Sequence, residues 1–234
     1  MIMRKRNIII AVLKTWNLEN ALKFKRKFGK EYRVFIFKDI EKLNSDLLKT
    51  INPEYVFFPH WSWIIPEVIY EKYRCVVFHM TDLPYGRGGT PLQNLILKGF
   101  DKTKISALKV AKELDAGPVY AKQNLSLKGS AGEIYKRASA IIFNKMIPDI
   151  IKKSPLPKKQ SGKIVLFKRR KPGQSNMQSL KNIGAAYDFI RMLDAEGYPK
   201  AFIETPYLKL EFSNAKKRQD NVFANVKITK KEKK

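Results

Sequence analysis

Two side chains in this 234-residue chain combine the right type with a suggestive setting for acid–base chemistry. His79 follows the apolar run Cys75–Phe78 and precedes a segment rich in Gly and Pro. Open α/β sheets bind ligands beyond the carboxyl ends of their strands, and an imidazole there can act as general base or acid near neutral pH. A structural histidine bonding a loop carbonyl has the same signature. Asp115 stands just before Ala116-Gly117-Pro118. Its carboxylate could orient an imidazole and favour the charged ring, or it could be a turn acid. Asp82 and Thr81 are nearer to His79 along the chain, and Asp82 suits a cap before Leu83-Pro84. Residue types alone therefore do not rank Asp82 against Asp115.

Three further groups carry candidate chemistry. Gly86-Arg87-Gly88-Gly89 is too short for a dinucleotide fingerprint; it could let backbone approach a ligand, or simply turn tightly. Arg87 within it could pair with a carboxylate or phosphate through its planar fork. His60, Trp61 and Trp63 could line a pocket for a flat ring or a sugar, or form a hydrophobic plug. Arg169, Arg170 and Lys171 belong to a basic run from Lys168 that could meet a pyrophosphate or a nucleic-acid backbone, or be a solvated face. No metal site is expected: one cysteine and two histidines cannot supply a tetrahedral Cys/His set, and HExxH is absent. GxSxG and Walker A motifs are absent too.

These residues must be positioned by the elements around them. Residues 7–14 read as a buried strand, followed by a helix over 15–29 with Asn17 as its cap candidate, Leu18, Ala21, Leu22 and Phe24 as its apolar face and Gly29 as its stop. Strands are expected at 32–37, 55–58 and 75–78, with a short helix or loop over 39–49 and a short helix near 66–70. Residues 80–90 read as irregular. A helix from Pro91 to about Lys98 should stop at Gly99. Residues 105–110 begin a strand or bend, and 121–127 alternates weakly. Ser130 and Glu133 have capping-box spacing, opening a long amphipathic helix through Ile134, Ala138, Ile142 and Ile150 that Pro148 kinks or ends. A Pro- and Lys-rich connector covers 152–161, and Ile164–Phe167 is a strand. A short helix at 187–193 then precedes an antiparallel unit over 201–204, 208–212 and 222–228, with a disordered tail at 230–234. The alternation predicts an α/β layer fold with a mainly parallel sheet, plus a small C-terminal β appendage. The expected domains are 1–180 and 181–234.

Hydrophobic residues make up 44% of the chain, ordinary for a globular protein. The basic opening residues faintly imitate a secretory signal, but the apolar run is only about six residues long with no cleavage site, so a core strand is the better reading. No stretch reaches the roughly 18–20 apolar residues of a bilayer span. Cytoplasmic location is expected. The single cysteine, Cys75, excludes an internal disulfide framework and reads as a buried core residue. The charge of +26, from 47 Lys+Arg against 21 Asp+Glu, is either largely solvated surface or attraction to a polyanion such as nucleic acid.

The block His79-Met-Thr-Asp-Leu-Pro-Tyr-Gly-Arg-Gly-Gly-Thr-Pro-Leu-Gln-Asn, followed by Leu114-Asp-Ala-Gly-Pro-Val-Tyr, resembles the folate-dependent formyltransferase family. The blocks occur in the family's order, and His79 and Asp115 have the family separation of 36 positions (115 − 79). The resemblance runs over about residues 50–130 and implies a Rossmann-like sheet, with helices on both faces, without a dinucleotide role. It also implies transfer of a formyl group from 10-formyltetrahydrofolate to an amine: His79 relays the amine proton and stabilises the adduct, and Asp115 orients His79. Thr81 joins the catalytic set. Leu83, Pro84, Gly86, Arg87, Gly88 and Gly89, with Asp115, would border the folate. Ser106 stands where the family has a threonine, and its hydroxyl should bond locally.

The family's Asn-x-His places its asparagine at Val77, which cannot donate to the formyl oxygen. One such donor can contribute roughly 3–4 kcal/mol, so a replacement is expected from Thr81, Asn94 or His60. Val77→Asn should be tolerated or activating, and unfolding or lost activity would show a pocket rebuilt around valine. The short C-terminal part resembles sugar N-formyltransferases more than the long barrel domain of methionyl-tRNA formyltransferases. The expected acceptor is accordingly a nucleotide-linked amino sugar, with His60, Trp61, Trp63, Asn94, Arg169, Arg170 and Lys171 as substrate contacts. Methionyl-tRNA, favoured by the charge, and a non-catalytic basic binding protein are the rival readings. A homodimer is compatible with the sequence.

Overall fold

The computed structural model describes residues 5–39 and 43–231. The chain divides into two compact units that alternate along the sequence: residues 1–87, 104–125 and 136–166 form the first, and 88–103, 126–135 and 167–234 the second.

The first unit is built on a six-stranded sheet. In chain order its elements are β1 (Arg6–Ala11), α1 (Thr15–Phe28), β2 (Tyr32–Phe37), α2 (Ser45–Ile51), β3 (Tyr55–Phe58), α3 (Glu67–Tyr70) and β4 (Cys75–His79). After β5 (Tyr85–Gly88) and α4 (Pro91–Leu97) come β6 (Lys102–Lys109) and β7 (Val119–Ser126). The strand order is β2-β1-β3-β4-β6-β7. The pairs β1–β2, β1–β3 and β3–β4 are parallel, and β4–β6 is antiparallel. Ile9, Ala11, Val56, Phe58 and Cys75 alternate to one face and pack with Leu48, Ile51 and Ile69 of α2 and α3. Ile8, Ile10, Phe57 and Val76 point the other way and are also buried, so both faces of these strands are covered. The chain leaves β1 toward β2, then returns past it to β3. That reversal places the sheet's switch point beside the carboxyl ends of β1 and β3.

The long helix predicted after Ser130 is present as α5 (Ala131–Ile141), a π segment (Ile142–Met146) and α6 (Ile147–Lys153). Pro148 does not end it: the helix runs on to Lys153, with the π segment directly before the proline's turn, where the backbone hydrogen-bond pattern already departs from the α ladder. The expected capping box is formed: Glu133 N–H donates to Ser130 Oγ at 3.3 Å, and Ser130 N–H donates to Glu133 Oε2 at 2.7 Å. In α1 the cap expectation is corrected. Lys14 is the cap residue, and Asn17 lies inside the helix, buried, donating to the Pro59 carbonyl at 3.3 Å. Leu22 is exposed, and the buried stripe runs instead through Trp16, Ala21, Phe24 and Phe28.

The second unit holds α4, α7 (Ile183–Leu193) and a three-stranded antiparallel sheet of β9 (Ala201–Glu204), β10 (Leu208–Arg218) and β11 (Asn221–Lys230), ordered β11-β10-β9. Helix α7 starts four residues before its predicted place, capped by Asn182, whose Oδ1 accepts from Ala185 N–H at 2.8 Å. Buried Gln93 of α4 donates to Tyr135 Oη and to the Met192 carbonyl. Strand β11 runs to Lys230, and Lys231 pairs with Glu204 at 2.7 Å, so these two are ordered where a disordered tail was expected; residues 232–234 of that tail lie outside the described residues. Residues 80–90 are not wholly irregular either. Within them β5 pairs with β8 (Val165–Phe167) in a two-stranded ribbon.

Candidate active site

His79 is the last residue of β4, and its ring is buried between two acceptors. Nε2 lies 2.7 Å from the Gly86 carbonyl oxygen, which can only accept, so Nε2 carries the hydrogen. Nδ1 lies 3.4 Å from Asp115 Oδ2, with both side chains nearly enclosed. The structure thus brings together the imidazole and the carboxylate that lie 36 positions apart (115 − 79), and it decides between the two acids. Asp82 is instead engaged by Lys122 Nζ at 2.5 Å and Lys104 Nζ at 2.9 Å. Burial pushes the Asp82 pKa up, but the hydrogen bonds and charges of the two lysines outweigh it and hold this carboxyl below its ordinary value.

The two sequence readings of His79 turn out to be parts of one arrangement: the ring bonds a loop carbonyl and also faces a carboxylate. Gly86 has φ +78, and its carbonyl also accepts from Thr81 Oγ1 at 3.3 Å. Ser106, opposite His79 in the β4–β6 register, donates to the Thr81 carbonyl at 2.7 Å and accepts from Leu83 N–H at 3.3 Å. The local bonding expected of this serine is what pins the residues beyond His79. Lys122, which sequence reasoning passed over, also donates to the Leu83 carbonyl.

The remaining predicted residues fall as follows. Val77 shares the His79 face of β4, pairs with Leu108 and packs against the aliphatic layer of α2 and α3. Of the substitutes considered for the missing donor, Thr81 spends its hydroxyl hydrogen on Gly86, and Asn94 spends its amide on the carbonyls of Gly89, Thr90 and Lys168. His60 follows β3 at the same carboxyl edge of the sheet, with φ +52 and its ring edge-on to Trp16. Burial, aided by the Lys14 charge, lowers its pKa to about 4, so it is neutral at pH 7. Trp61 packs on Phe58 and on Trp63, and Trp63 is half exposed. The indoles therefore cover the core and border the surface at once.

Gly88 has φ +103, and a Cβ there would stand 2.5 Å from the Phe167 carbonyl oxygen. Its own chain, in β8, fills the space that a ligand was considered for. Gly89 is crowded in the same way by Arg169. Arg170 lies over the Phe189 ring, and burial lowers its pKa; its backbone N–H donates to Thr90 Oγ1. That placement removes Arg170 from a solvated face. Lys171 is exposed at the start of a 3₁₀ turn. Arg87 gives Nε and Nη2 to Gln160 Oε1 at 3.1 and 2.9 Å. Buried Cys75 has its thiol pushed up to about 12 by desolvation, as an inert core residue. A cleft of about 680 Å³ in the second unit is walled by Ser130, Glu133, Tyr187, Asp194, Lys216 and Phe223 among others, and by none of the predicted site residues. Among the described residues no helix is long and apolar enough to cross a membrane, and no group of three metal-ligating side chains occurs.

The architecture has a close match among solved structures. Methionyl-tRNA formyltransferase from Clostridium thermocellum is 51% identical, with a TM-score of 0.95, over 97% of this chain and 100% of that one.

The chain belongs to the folate-dependent formyltransferase family.

Residues 172–229 match the model of the methionyl-tRNA formyltransferase C-terminal domain. The segment read as leading into a short β appendage like that of sugar N-formyltransferases is thus matched by a methionyl-tRNA formyltransferase model. Methionyl-tRNA formyltransferase of Bacillus licheniformis is 29% identical over 127 residues, 51% of this chain and 40% of that protein. The chain thus matches about half, or less, of the length of the curated relatives. A sugar N-formyltransferase from Shewanella sp. has a TM-score of 0.66 at 13% identity over 86% of this chain and 93% of that one, a likeness of fold alone.

Proposed function

We propose that this formyltransferase moves a formyl group from 10-formyltetrahydrofolate to the amine of methionyl-tRNA, with His79 and Asp115 as its acid–base pair. The observation that carries the reading is the 51% identity with the Clostridium thermocellum enzyme over the whole of that chain. Two others support it: the C-terminal-domain match and the +26 charge, which favours a phosphate-rich acceptor. The nucleotide-sugar acceptor draws only on fold likeness and is the weaker reading.

The residues near His79 suit a folate donor. Leu83, Pro84, Gly86, Arg87 and Asp115 belong to the same unit as His79, and four backbone or side-chain bonds brace the loop of the first four. The folate, when bound, supplies a formyl group activated by its nitrogen. The protein's part is to hold and move a proton at His79 while Asp115 faces Nδ1 and fixes the ring. Enclosure strengthens that interaction by keeping water away.

The test is a formyl-transfer assay with methionyl-tRNA beside a panel of nucleotide-linked amino sugars, using 10-formyltetrahydrofolate as donor. Formyl-methionyl-tRNA should accumulate. Turnover confined to the sugars would reassign the acceptor, and turnover with neither would refute the proposal.

A further inference from the structure

Asp115 has φ +54, in the left-handed region that Asp and Asn enter more readily than other residues with a side chain, and its turn is fixed from outside. The holder is Gln160. Its side-chain amide donates one hydrogen to the Asp115 carbonyl and the other to the Gly117 carbonyl, both at 2.8 Å. Its Oε1 accepts the two N–H groups of Arg87. A carboxamide has two donors and one oxygen, and all are engaged. The placement of N and O is unambiguous, because the two partners at nitrogen are carbonyls and the two at oxygen are guanidinium N–H groups.

Gln160 is itself anchored. Two residues earlier, Lys158 and Val119 exchange backbone hydrogen bonds of 2.7 and 2.9 Å; five residues later, Val165 N–H donates to the Pro84 carbonyl at 3.3 Å. Arg87 directly follows Gly86, whose carbonyl holds His79 Nε2. One amide therefore braces both partners of the imidazole: the turn that carries the carboxylate at Nδ1, and the loop that carries the carbonyl at Nε2.

We infer that Gln160 is a positioning residue for His79, setting the ring between Asp115 and Gly86. This rests on the acid–base reading above. The experiment uses the full chain with Gln160→Ala and Gln160→Glu. The glutamate can still accept from Arg87 but has no N–H for the Asp115 and Gly117 carbonyls, and it carries the test if the alanine variant fails to fold. Two readouts are taken. One is the NMR signal of each of the two imidazoles, with His60 as internal reference. The other is kcat and KM for donor and acceptor.

In Gln160→Glu the His79 signal should move while that of His60 stays. Turnover should fall about 10- to 100-fold with KM nearly unchanged, as expected when a catalytic group is displaced by about 1 Å. An unmoved His79 signal overturns the inference, whatever happens to turnover, and so, where His79→Asn is impaired, does a kcat within about twofold of the parent. His79→Asn separates the two ideas. If that variant stays fully active, the acid–base reading fails, while a moved His79 signal in Gln160→Glu still establishes the brace.

Discussion

At the scale of single residues, the consequences of the His79–Asp115 pair are sharp. His79→Asn and Asp115→Asn should each lower kcat by about 10²–10⁴-fold, the usual contribution of a positioned acid or base, while the melting temperature stays near that of the parent. Steady-state rates and a thermal scan on the same samples check both halves. Val77 is a different case. Its side chain packs against an aliphatic layer, so Val77→Asn should cost about 1–3 kcal/mol in denaturant unfolding unless the new amide finds a partner. No loss of stability would mean that it does. His60 supplies a pH dependence. Burial and Lys14 depress its pKa from 6.5 to about 4, so the folded state binds fewer protons than the unfolded one in that window. The neutral ring's contribution is intact above pH 6.5 and is lost as pH falls toward 4, by up to roughly 3 kcal/mol. His60→Asn suits the positive φ and should flatten this part of the stability–pH curve, measured by urea midpoints.

At the scale of elements, the turn 115–118 is the place where packing dictates the residue. A Cβ on Gly117 would stand 1.8 Å from the Lys109 carbonyl oxygen at the end of β6, so nothing larger than glycine fits unless the backbone shifts. Gly117→Ala should destabilise the protein by more than about 1 kcal/mol and lower kcat, because the shift moves Asp115. Equal stability and equal kcat would show that the turn yields without consequence. The capping box gives a milder test. Ser130→Ala should cost about 0.5–2 kcal/mol with turnover unaffected, because its partner Glu133 and the helix start belong to the second unit.

At the scale of the whole molecule, the charge of +26 sets a long-range expectation. If methionyl-tRNA is the acceptor, its affinity should fall steeply with salt, by about 10³-fold between 50 and 200 mM for about six neutralised phosphates. Exposed Lys216, Lys217 and Arg218 on the β10–β11 hairpin are the first residues to replace. A flat salt dependence in a filter-binding or fluorescence titration would assign the charge to solubility instead.

Taken by itself, the sequence determined the α/β class, the first four strands of the sheet, the capping box and the candidacy of His79 as the acid–base group. These follow from local periodicity and from residue types whose chemistry travels with them. The contact of Asp115 with His79, the pairing of Asp82 with two lysines, the antiparallel turn of β6 against β4, the occupation of the Gly88–Gly89 space by the protein's own chain and the bracing role of Gln160 were decided only by tertiary structure. Each depends on which strands lie side by side and in what register, and on backbone carbonyls that all residues possess alike. Gln160 stands in a Pro- and Lys-rich connector with no periodicity to mark it. Its importance comes from the two carbonyls and the one guanidinium that folding carries to its amide.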